Sequence, residues 1–277
     1  MKANYWHIGL DIQPGQVTAL GVQPRRNGWQ LRHWWQQPVP CQDSNQDMNG
    51  PRTVLVRLLE RWRRLLPRKF SLRVGLPPHL VLQRQLDVPS AVACEPVLGS
   101  YIRAAAGRLF PEGSGPLAID YQPAVLQSDS VSITVASQTV IEQWQNIFYR
   151  AGLSPDVFEL MHGSLAVALS MQGSGHDRIL VHESDTFWLW ACYRQGKLQH
   201  GWQFRQQCPD AEFICTQQCP EAEARFFCGS QLPPRVPAGF RLFSPFPAIV
   251  YRQPPLPAEE SSFTLAAGLA LRQDDRL

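Results

Sequence analysis

The feature that most constrains the fold is a pattern of three consecutive strands that occurs twice in this 277-residue chain. In each group, short segments rich in β-forming residues are separated by turn residues such as Pro14-Gly15 and Gln195-Gly196. Because short turns join neighbouring strands in antiparallel order, each group predicts a meander, and the pair predicts an internal structural repeat. The first meander is predicted over residues 5–12, 16–23 and 28–36, and the second over 179–183, 186–194 and 198–204.

Between the two meanders the pattern changes from strand to helix and then to a small mixed module. A helix is predicted from Pro51 to Leu66, because its apolar residues recur at helical spacing and Pro67 ends it. A strand at 71–76 follows, and then a strand, a helix, a hairpin and a second helix form an α+β unit. The predicted elements of this unit are the strand 80–86, the helix 91–109, the hairpin strands 116–126 and 130–136, and the helix 138–151.

These elements predict three parts. The first subdomain comprises residues 1–77 and 155–172, the inserted α+β module comprises 78–154, and the second, reduced subdomain comprises 173–277 with a Pro-rich stretch at 231–258. A strand at 157–160 and a helix at 162–171 complete the first subdomain. Near the end of the chain, Ser261 or Ser262 is expected to cap a last helix that runs to Leu271.

One face of the helix after Pro51 carries four arginines, and two interpretations remain open for them. A basic amphipathic helix can bind a membrane surface or an acidic partner. The complete apolar face opposite would also pack on a sheet and leave the basic side chains in solvent. The four arginines are Arg57, Arg61, Arg64 and Arg68.

Composition excludes some classes of protein. The formal net charge of +3 is too small to indicate a nucleic-acid-binding protein. No stretch of about 18 apolar residues predicts a membrane span, and the first residues lack the pattern of a secretory signal, so a cytoplasmic protein is expected. Seven irregularly spaced cysteines indicate reduced thiols rather than a disulfide framework. Four of them, Cys208, Cys215, Cys219 and Cys228, suggest zinc, but no C-x2-C pair occurs and buried thiols are favoured.

The first predicted strand ends in an acidic residue, as strands that face a bound phosphate and metal often do. This strand reads Ile8-Gly9-Leu10-Asp11-Ile12, and the turn after it reads Gln13-Pro14-Gly15-Gln16. A phosphate-binding turn offers several backbone N–H groups, but Pro14 has none to donate. The sequence therefore has an acidic residue at the position of a nucleotide site, but the turn after it lacks the residues that bind phosphate.

No pattern of residues predicts an enzyme. His182 and Glu183 are adjacent, so on a strand they point to opposite faces and cannot act together. The seven histidines give no H-E-x-x-H spacing, and no G-x-S-x-G motif occurs. Catalytic residues are therefore not assigned, and neither a metal nor a cofactor is expected, with ATP and Mg²⁺ kept only as an alternative.

Several short motifs together resemble the PilM family of type IV pilus assembly proteins, and most of all its short, divergent HofM branch, which is associated with competence pili and the use of DNA. Each motif is weak alone, and the resemblance lies in their order and spacing. It implies an α/β, actin-like ATPase fold of the ribonuclease H-like class, with a duplicated core, an inserted module and a truncated second half. The motifs are Ile8–Ile12, Val74–Pro77, Ala118–Gln122, Val135–Ile141, Ala151–Pro155 and Ser262–Arg272.

The resemblance also implies a degenerate nucleotide site. Where the family has Asp-Ile-Gly on the second meander, this chain has His182-Glu183-Ser184, so imidazole replaces the second carboxylate. Thr18 stands where the family commonly has a basic residue. ATPase activity is therefore not expected. The residues assigned to this site are Asp11, Gln13, Gly15, His182 and Ser184.

The implied function is that of a non-catalytic cytoplasmic adaptor at the inner face of the cytoplasmic membrane. Its expected partner is the cytoplasmic tail of a PilN-like or HofN-like single-pass membrane protein, bound in a groove between the first subdomain and the inserted module. Membrane association is expected only through this partner, without direct contact to nucleic acid. Two alternatives remain: an ATP-binding, actin-like switch, and a component of a related type II secretion system. The residues assigned to the groove are Gly75, Pro77, Leu82, Arg84, Leu86, Tyr101 and Arg103.

Overall fold

The computed structural model describes residues 5–39, 50–89, 92, 94–109, 115–121, 130–173, 176–230 and 235–272. Cys41 lies outside these residues, as do parts of the predicted helix 91–109, of the predicted strand 116–126 and of the Pro-rich stretch 231–258. The chain divides into two compact units, one of Met1–Leu76 with Arg150–Leu277 and one of Pro77–Tyr149. The three-part division predicted from the sequence stays a prediction.

Thirteen strands and six α-helices are described. In chain order the elements are β1 (Trp6–Gln13), β2 (Gln16–Arg25), β3 (Gly28–Pro38), α1 (Gly50–Arg63), β4 (Phe70–Leu76), β5 (Val81–Asp87), α2 (Val97–Leu109), β6 (Leu117–Tyr121), β7 (Ser130–Ser137), α3 (Gln138–Arg150), β8 (Val157–Leu160), α4 (Met161–Ser170), β9 (Arg178–Glu183), β10 (Phe187–Arg194), β11 (Lys197–Phe204), α5 (Ala211–Gln218), β12 (Ala224–Gly229), β13 (Arg241–Leu242) and α6 (Thr264–Leu271).

The first unit contains a five-stranded sheet in the order β3-β2-β1-β4-β8. Strands β1, β2 and β3 pair antiparallel, and β4 and β8 add in parallel. The first meander is therefore confirmed. Helix α1 follows it and buries an apolar face that includes Leu55, Leu59 and Trp62. This helix ends at Arg63, before Pro67 as the sequence predicts.

A second five-stranded sheet in the first unit repeats this arrangement, in the order β11-β10-β9-β12-β13. The second meander is antiparallel, and β12 and β13 add in parallel to it. The predicted internal repeat is thus confirmed. Strand β13, at the edge of this sheet, has only two residues. The expected reduction of the second half stays a prediction.

Three elements of the second half were not predicted, namely helix α5 and strands β12 and β13. Helix α5 begins after Asp210, whose carboxylate accepts a hydrogen bond from the backbone N–H of Phe213 at 2.8 Å. Strand β12 then enters the sheet beside β9. The Asp210 cap was a usable sequence signal, whereas the short α5 has little apolar periodicity because its buried side chains are small.

Helices α4 and α6 pack against each other, and each contacts a different sheet of the first unit. Helix α4 lies against β10 and β11, and α6 lies against β1 and β2. The approach is very close, because a Cβ at Gly268 would stand 1.9 Å from the backbone oxygen of Ser164, and one at Gly9 would stand 2.0 Å from that of Ala266. Gly268 therefore sets the spacing of α4 and α6 in this apolar seam, and Gly9 sets the spacing of β1 and α6.

The expected cap of the last helix is wrong. Ser261 and Ser262 lie in a 3-10 turn over Glu260–Phe263, and α6 begins at Thr264 without a side-chain cap. The Ser262 hydroxyl instead donates to the backbone oxygen of Glu259 at 2.8 Å. At the C-terminal end of α6, Arg73 on β4 donates hydrogen bonds to the carbonyl oxygens of Leu269, Ala270 and Arg272.

The second unit is a three-stranded antiparallel sheet in the order β5-β7-β6, with helices α2 and α3. Its core joins the sheet to α2 through Leu98, Ile102, Val131, Ile133 and Val135. Helix α2 begins at Val97, six residues after the predicted start, and follows Pro96. No helix over the described residues is long and apolar enough to cross a membrane.

Candidate functional site

The ends of the two meanders place three of the predicted nucleotide-site residues in one buried cluster. Gln13 donates its amide N–H to Oδ2 of Asp11 at 2.7 Å, and the same amide lies 3.2 Å from Nε2 of His182. Asp11 and Gln13 share a face of β1, whereas His182 comes from β9 in the other sheet. All three side chains are at most 5% exposed. The cluster therefore links the two sheets by hydrogen bonds.

The cluster continues beyond His182 toward the second sheet and the last helix. Nδ1 of His182 lies 3.4 Å from Sγ of Cys228, its partner in the β9–β12 register. The Cys228 thiol also interacts with the side chain of Thr264, at the start of α6. Burial raises the pKa of Cys228 far above its ordinary value, so this thiol stays protonated. A polar chain thus runs from Asp11 to α6.

Burial shifts the pKa values of two side chains in the cluster and so sets their charges. It raises the pKa of Asp11 to about 7, although the hydrogen bond from Gln13 acts in the opposite direction. It lowers the pKa of His182 to about 3, so this imidazole is neutral near pH 7. The Asp11 carboxyl is consequently close to half protonated at neutral pH, and the cluster carries at most one negative charge.

Three buried polar atoms have no hydrogen-bond partner among the described residues, namely Asp11 Oδ1, Thr18 Oγ1 and Ser184 Oγ. Thr18 pairs with Asp11 in the register of β1 and β2, so both lie on one face of the sheet. A Cβ at Gly75 would stand 3.4 Å from Asp11 Oδ1. Gly75, which the sequence assigns to the partner groove, therefore lies beside Asp11 in the first unit.

A second contact between the sheets lies next to the predicted turn residue Gly15. Gln16 donates its amide N–H to the carbonyl oxygen of Ser230 at 2.9 Å and accepts a hydrogen bond from Gln36 at 3.1 Å. Gly15 has φ of +85°, as a tight turn requires, and its carbonyl accepts from the N–H of Val39. Sequence reasoning missed Ser230 and Gln36, although the pairing of β2 with β3 would have placed Gln36 beside Thr18.

Ser184, the last predicted residue of this site, lies just after β9. Its backbone N–H donates to the carbonyl oxygen of Phe187, and its own carbonyl accepts from Arg205 at 3.3 Å. Arg205 also pairs with Glu183 at 2.9 Å. The backbone groups of this turn are therefore committed to local contacts.

Most residues predicted for partner binding lie in the second unit. Leu82, Arg84 and Leu86 are on one face of β5, and Tyr101 and Arg103 are on α2. Leu86 and Tyr101 pack against the unit's own hydrophobic core, and the Tyr101 hydroxyl donates to the carbonyl oxygen of Asp87 at 3.1 Å. Pro77 precedes a 3-10 turn and accepts from the N–H of Leu80. Arg84 and Arg103 are exposed.

The second unit also contains an open cavity of about 380 Å³. Strand β6 is at an edge of its sheet and supplies most of the lining, and Arg103 is the one lining residue that the sequence predicted. Ile119 and Tyr121 also border the core of the unit. The lining residues are Arg103, Leu117, Ala118, Ile119, Tyr121 and Gln138.

The cysteines that suggested zinc are buried among apolar side chains. Cys208, Cys215 and Cys219 join a hydrophobic cluster with Cys192, Ile214 and Phe227, whereas Cys228 lies beside His182. Burial raises the pKa of each of these thiols. Over the residues that the structure describes, no three His, Cys, Asp or Glu side chains are arranged to hold a metal ion.

No family model matches the sequence. Comparison with individual known proteins supports the resemblance to HofM and PilM proteins. The DNA utilization protein HofM of Escherichia coli (strain K12) is 24% identical over 275 residues, which cover 98% of each chain. The predicted resemblance is confirmed. The chain is HofM-like in sequence.

The solved structures that it resembles define the fold. The PilM-PilN type IV pilus biogenesis complex contains a chain that matches with a TM-score of 0.69 and 16% identity, over 95% of this chain and 97% of that chain. The cytoplasmic domain of Epsl, an inner membrane component of the type II secretion system of Vibrio cholerae, matches with a TM-score of 0.53 and 10% identity, over 96% and 95%. The predicted actin-like fold class is therefore confirmed.

Proposed function

We propose that this chain is a non-catalytic adaptor in the assembly of a type IV or competence-type pilus linked to DNA use. In this role it binds the cytoplasmic tail of a PilN-like inner-membrane protein and works in the cytoplasm, at the inner face of that membrane. The observation that carries the proposal is the match to HofM over 98% of both chains, together with the fold likeness to a chain of a PilM-PilN complex.

The chemistry of the buried cluster supports the non-catalytic part of the proposal. Mg²⁺ in nucleotide sites is held by carboxylates, phosphates and water. Here Asp11 is the one carboxylate of the cluster, it is close to half protonated at pH 7, and a neutral imidazole stands opposite. Gln13 already uses Asp11 Oδ2 and contacts His182. These residues fit Mg²⁺ and a triphosphate poorly, so the cluster acts as a structural link.

The second unit offers a place for an extended tail. Strand β6 is at a sheet edge, where a peptide can add main-chain hydrogen bonds, and the neighbouring cavity has apolar walls with one exposed cation, Arg103. A tail that places an apolar side chain in this cavity and an acidic one beside Arg103 would use both features. Arg84 lies on β5, at the opposite edge of this sheet, and is a separate candidate contact for the tail.

A peptide titration tests the partner and the nucleotide together. A labelled peptide from the cytoplasmic tail of a PilN-like protein is titrated by fluorescence anisotropy, with and without Mg-ATP. We expect saturable binding that ATP does not change. Arg103→Ala should weaken this binding about tenfold, whereas Arg108→Ala, an exposed position on the same helix, should leave it unchanged. Absence of binding under both conditions would reject the adaptor role.

Calorimetry tests the ATP-switch alternative directly. Heat of Mg-ATP binding that disappears in Asp11→Ala would replace the non-catalytic interpretation with an active nucleotide site. We expect no such heat at millimolar nucleotide, because the Asp11 carboxyl is buried and bonded to Gln13.

A role in type II secretion is the second candidate, and the likeness to the Epsl cytoplasmic domain favours it. The same titration separates the two candidates when it includes peptides from cytoplasmic segments of type II secretion membrane proteins. Tighter binding of one of those peptides than of the PilN-type tail would move the assignment to the secretion system.

A further inference from the structure

A dense group of cations lies at the end of helix α1 and in the turn after it. Residues 57–69 contain five arginines and one lysine but only one acidic residue, Glu60, so this segment has a net charge of +5. The whole chain has a formal net charge of +3, so all other residues together are slightly acidic. The positive charge of the protein is thus concentrated in one short segment of the first unit.

The structure directs these cations outward. Leu55, Val56, Leu59, Trp62 and Leu66 of the segment's apolar face are all buried. The basic surface, as we name it, is the opposite face with its following turn, and its cationic side chains are all exposed. It consists of Arg57, Arg61, Arg64, Arg68 and Lys69, and it also contains the exposed Glu60.

Among the residues that the structure describes, the cations of the basic surface have no side-chain partner. Arg63 donates hydrogen bonds to the carbonyl oxygens of Gly152, Leu66 and Pro67, and its guanidinium stacks over Phe70, so this one arginine is structural. The side chains of the basic surface form no hydrogen bond or ion pair with any other described residue. Helix-end stabilisation would need one or two cations in the last turn, and five exceed that need.

An apolar side chain stands within this charged surface. Leu65, between Arg64 and Leu66, is 60% exposed, which makes it one of the most exposed large apolar residues of the described chain. Clustered cations around an exposed leucine match the interface of an anionic bilayer, where phosphates pair with the cations and the acyl region accepts the leucine. A nucleic-acid surface would use the cations but not the leucine.

We propose that the basic surface binds the anionic phospholipid headgroups of a membrane directly. This inference goes beyond the adaptor role, because it requires no partner protein, and it differs from the sequence-based expectation that a partner alone provides membrane association. The contact is electrostatic and reversible, since each basic side chain near such a surface contributes about fivefold to binding and one leucine adds little.

Vesicle sedimentation tests the proposal with the purified full-length chain and no partner. The probe is a set of vesicles with 30% phosphatidylglycerol in phosphatidylcholine, compared with vesicles of phosphatidylcholine alone. We expect binding only to the anionic vesicles, and loss of that binding at high salt because the charges are screened. A failure of the partner-tail titration would leave this result unchanged, so the two proposals are tested separately.

Matched variants identify the surface. Replacement of Arg57, Arg61, Arg64 and Arg68 by Gln should weaken vesicle binding at least about tenfold. The control replaces four exposed arginines elsewhere, Arg108, Arg235, Arg241 and Arg252, by Gln, which changes the net charge equally. Leu65→Ser should weaken binding by about twofold to fivefold. Circular dichroism verifies that each variant is folded.

Three outcomes would overturn the proposal. The first is equal sedimentation with neutral and anionic vesicles, and the second is equal loss of binding in both fourfold variants. The third is binding to a 20-base-pair duplex DNA that exceeds vesicle binding and disappears when the four arginines of the basic surface are replaced, which would assign the surface to nucleic acid instead.

Discussion

Two regions join the two five-stranded sheets of the first unit, one by apolar packing and the other by buried hydrogen bonds. The seam between α4 and α6 is apolar and so closely packed that Gly268 leaves no room for a methyl group. The Asp11–Gln13–His182 cluster is polar, buried and only partly hydrogen bonded, because Asp11 Oδ1 has no partner. The comparison indicates that the seam stabilises the fold, whereas the cluster retains polar groups at a free-energy cost.

The largest expected effect is at the seam. In Gly268→Ala the new Cβ would lie 1.9 Å from the backbone oxygen of Ser164, so α4 and α6 must separate. We expect a loss of about 3 kcal/mol or more in the free energy of unfolding. Urea unfolding followed by tryptophan fluorescence measures this loss, since eight of the nine tryptophans lie in the first unit.

The control for this variant is Gly107→Ala on α2, where a Cβ meets nothing within 4 Å. It should leave stability unchanged or raise it slightly, because alanine favours a helix. Equal stability of the two variants would show that the seam can relax and would weaken the contrast between the two regions.

The next effect concerns Arg73, a buried cation that serves the apolar seam. It donates to carbonyl oxygens at the end of α6, among them that of Leu269 at 3.2 Å. Arg73→Met keeps the side-chain length but leaves these oxygens without their donor, so we expect a loss of about 2 to 3 kcal/mol in the free energy of unfolding. Arg252→Met at an exposed position is the control, and a similar loss there would contradict a capping role.

In the polar cluster a substitution is expected to stabilise the protein instead of destabilising it. Because burial raises the pKa of Asp11 to about 7, the folded protein holds a proton that the unfolded chain releases near 3.8. Stability from this group is therefore lost as pH rises from about 4 to 7. Asp11→Asn removes this dependence and should stabilise the protein by about 2 kcal/mol at pH 8, but by much less at pH 5.

His182 supplies the opposite dependence and a second test of the cluster. Its folded pKa of about 3 lies below its ordinary value of 6.5, so its contribution to stability is lost as pH falls from 6.5. His182→Gln should therefore make the protein less sensitive to acid. Urea midpoints at pH 5 and pH 8 measure both variants, and destabilisation by Asp11→Asn at pH 8 would mean that the carboxylate has a charged partner.

The smallest effect is expected at a histidine pair near the seam. Nδ1 of His162 on α4 lies 2.8 Å from Nδ1 of His200 on β11, which requires that one ring donates and the other accepts. Burial, with the nearby His200 as a lesser cause, lowers the pKa of His162 to about 4. His162→Phe should cost about 1 kcal/mol at pH 7 and flatten the loss of stability between pH 6.5 and 4. An unchanged pH dependence would show that the pair does not titrate with folding.

Regular elements could be predicted well where the pattern was local. Both meanders, α1, α3 and the strand β8 follow from alternation, helical spacing and turn residues. Helix α5 and strand β12 were missed because short segments among prolines carry little periodicity. The predicted cap at Ser261 or Ser262 was wrong because both residues lie in a 3-10 turn that leads directly into α6.

For the candidate site, residue types were predictable and their contacts were not. The sequence indicated Asp11, Gln13 and His182, but the contact of Gln13 with His182 spans 169 residues of chain and depends on how the two sheets meet. The same holds for Gln16 with Ser230, and for Leu86 and Tyr101, which pack into a core instead of remaining free.

By itself the sequence determined the repeated meanders and the basic stripe that begins on α1, because periodicity and residue chemistry are local properties. Tertiary structure alone decided which of these residues are buried and which meet. Burial gives Asp11 a pKa near 7 and His182 one near 3, whereas Arg57 and Arg61 of α1 stay exposed. The physical reason is that desolvation and packing depend on neighbours that lie far apart in the chain.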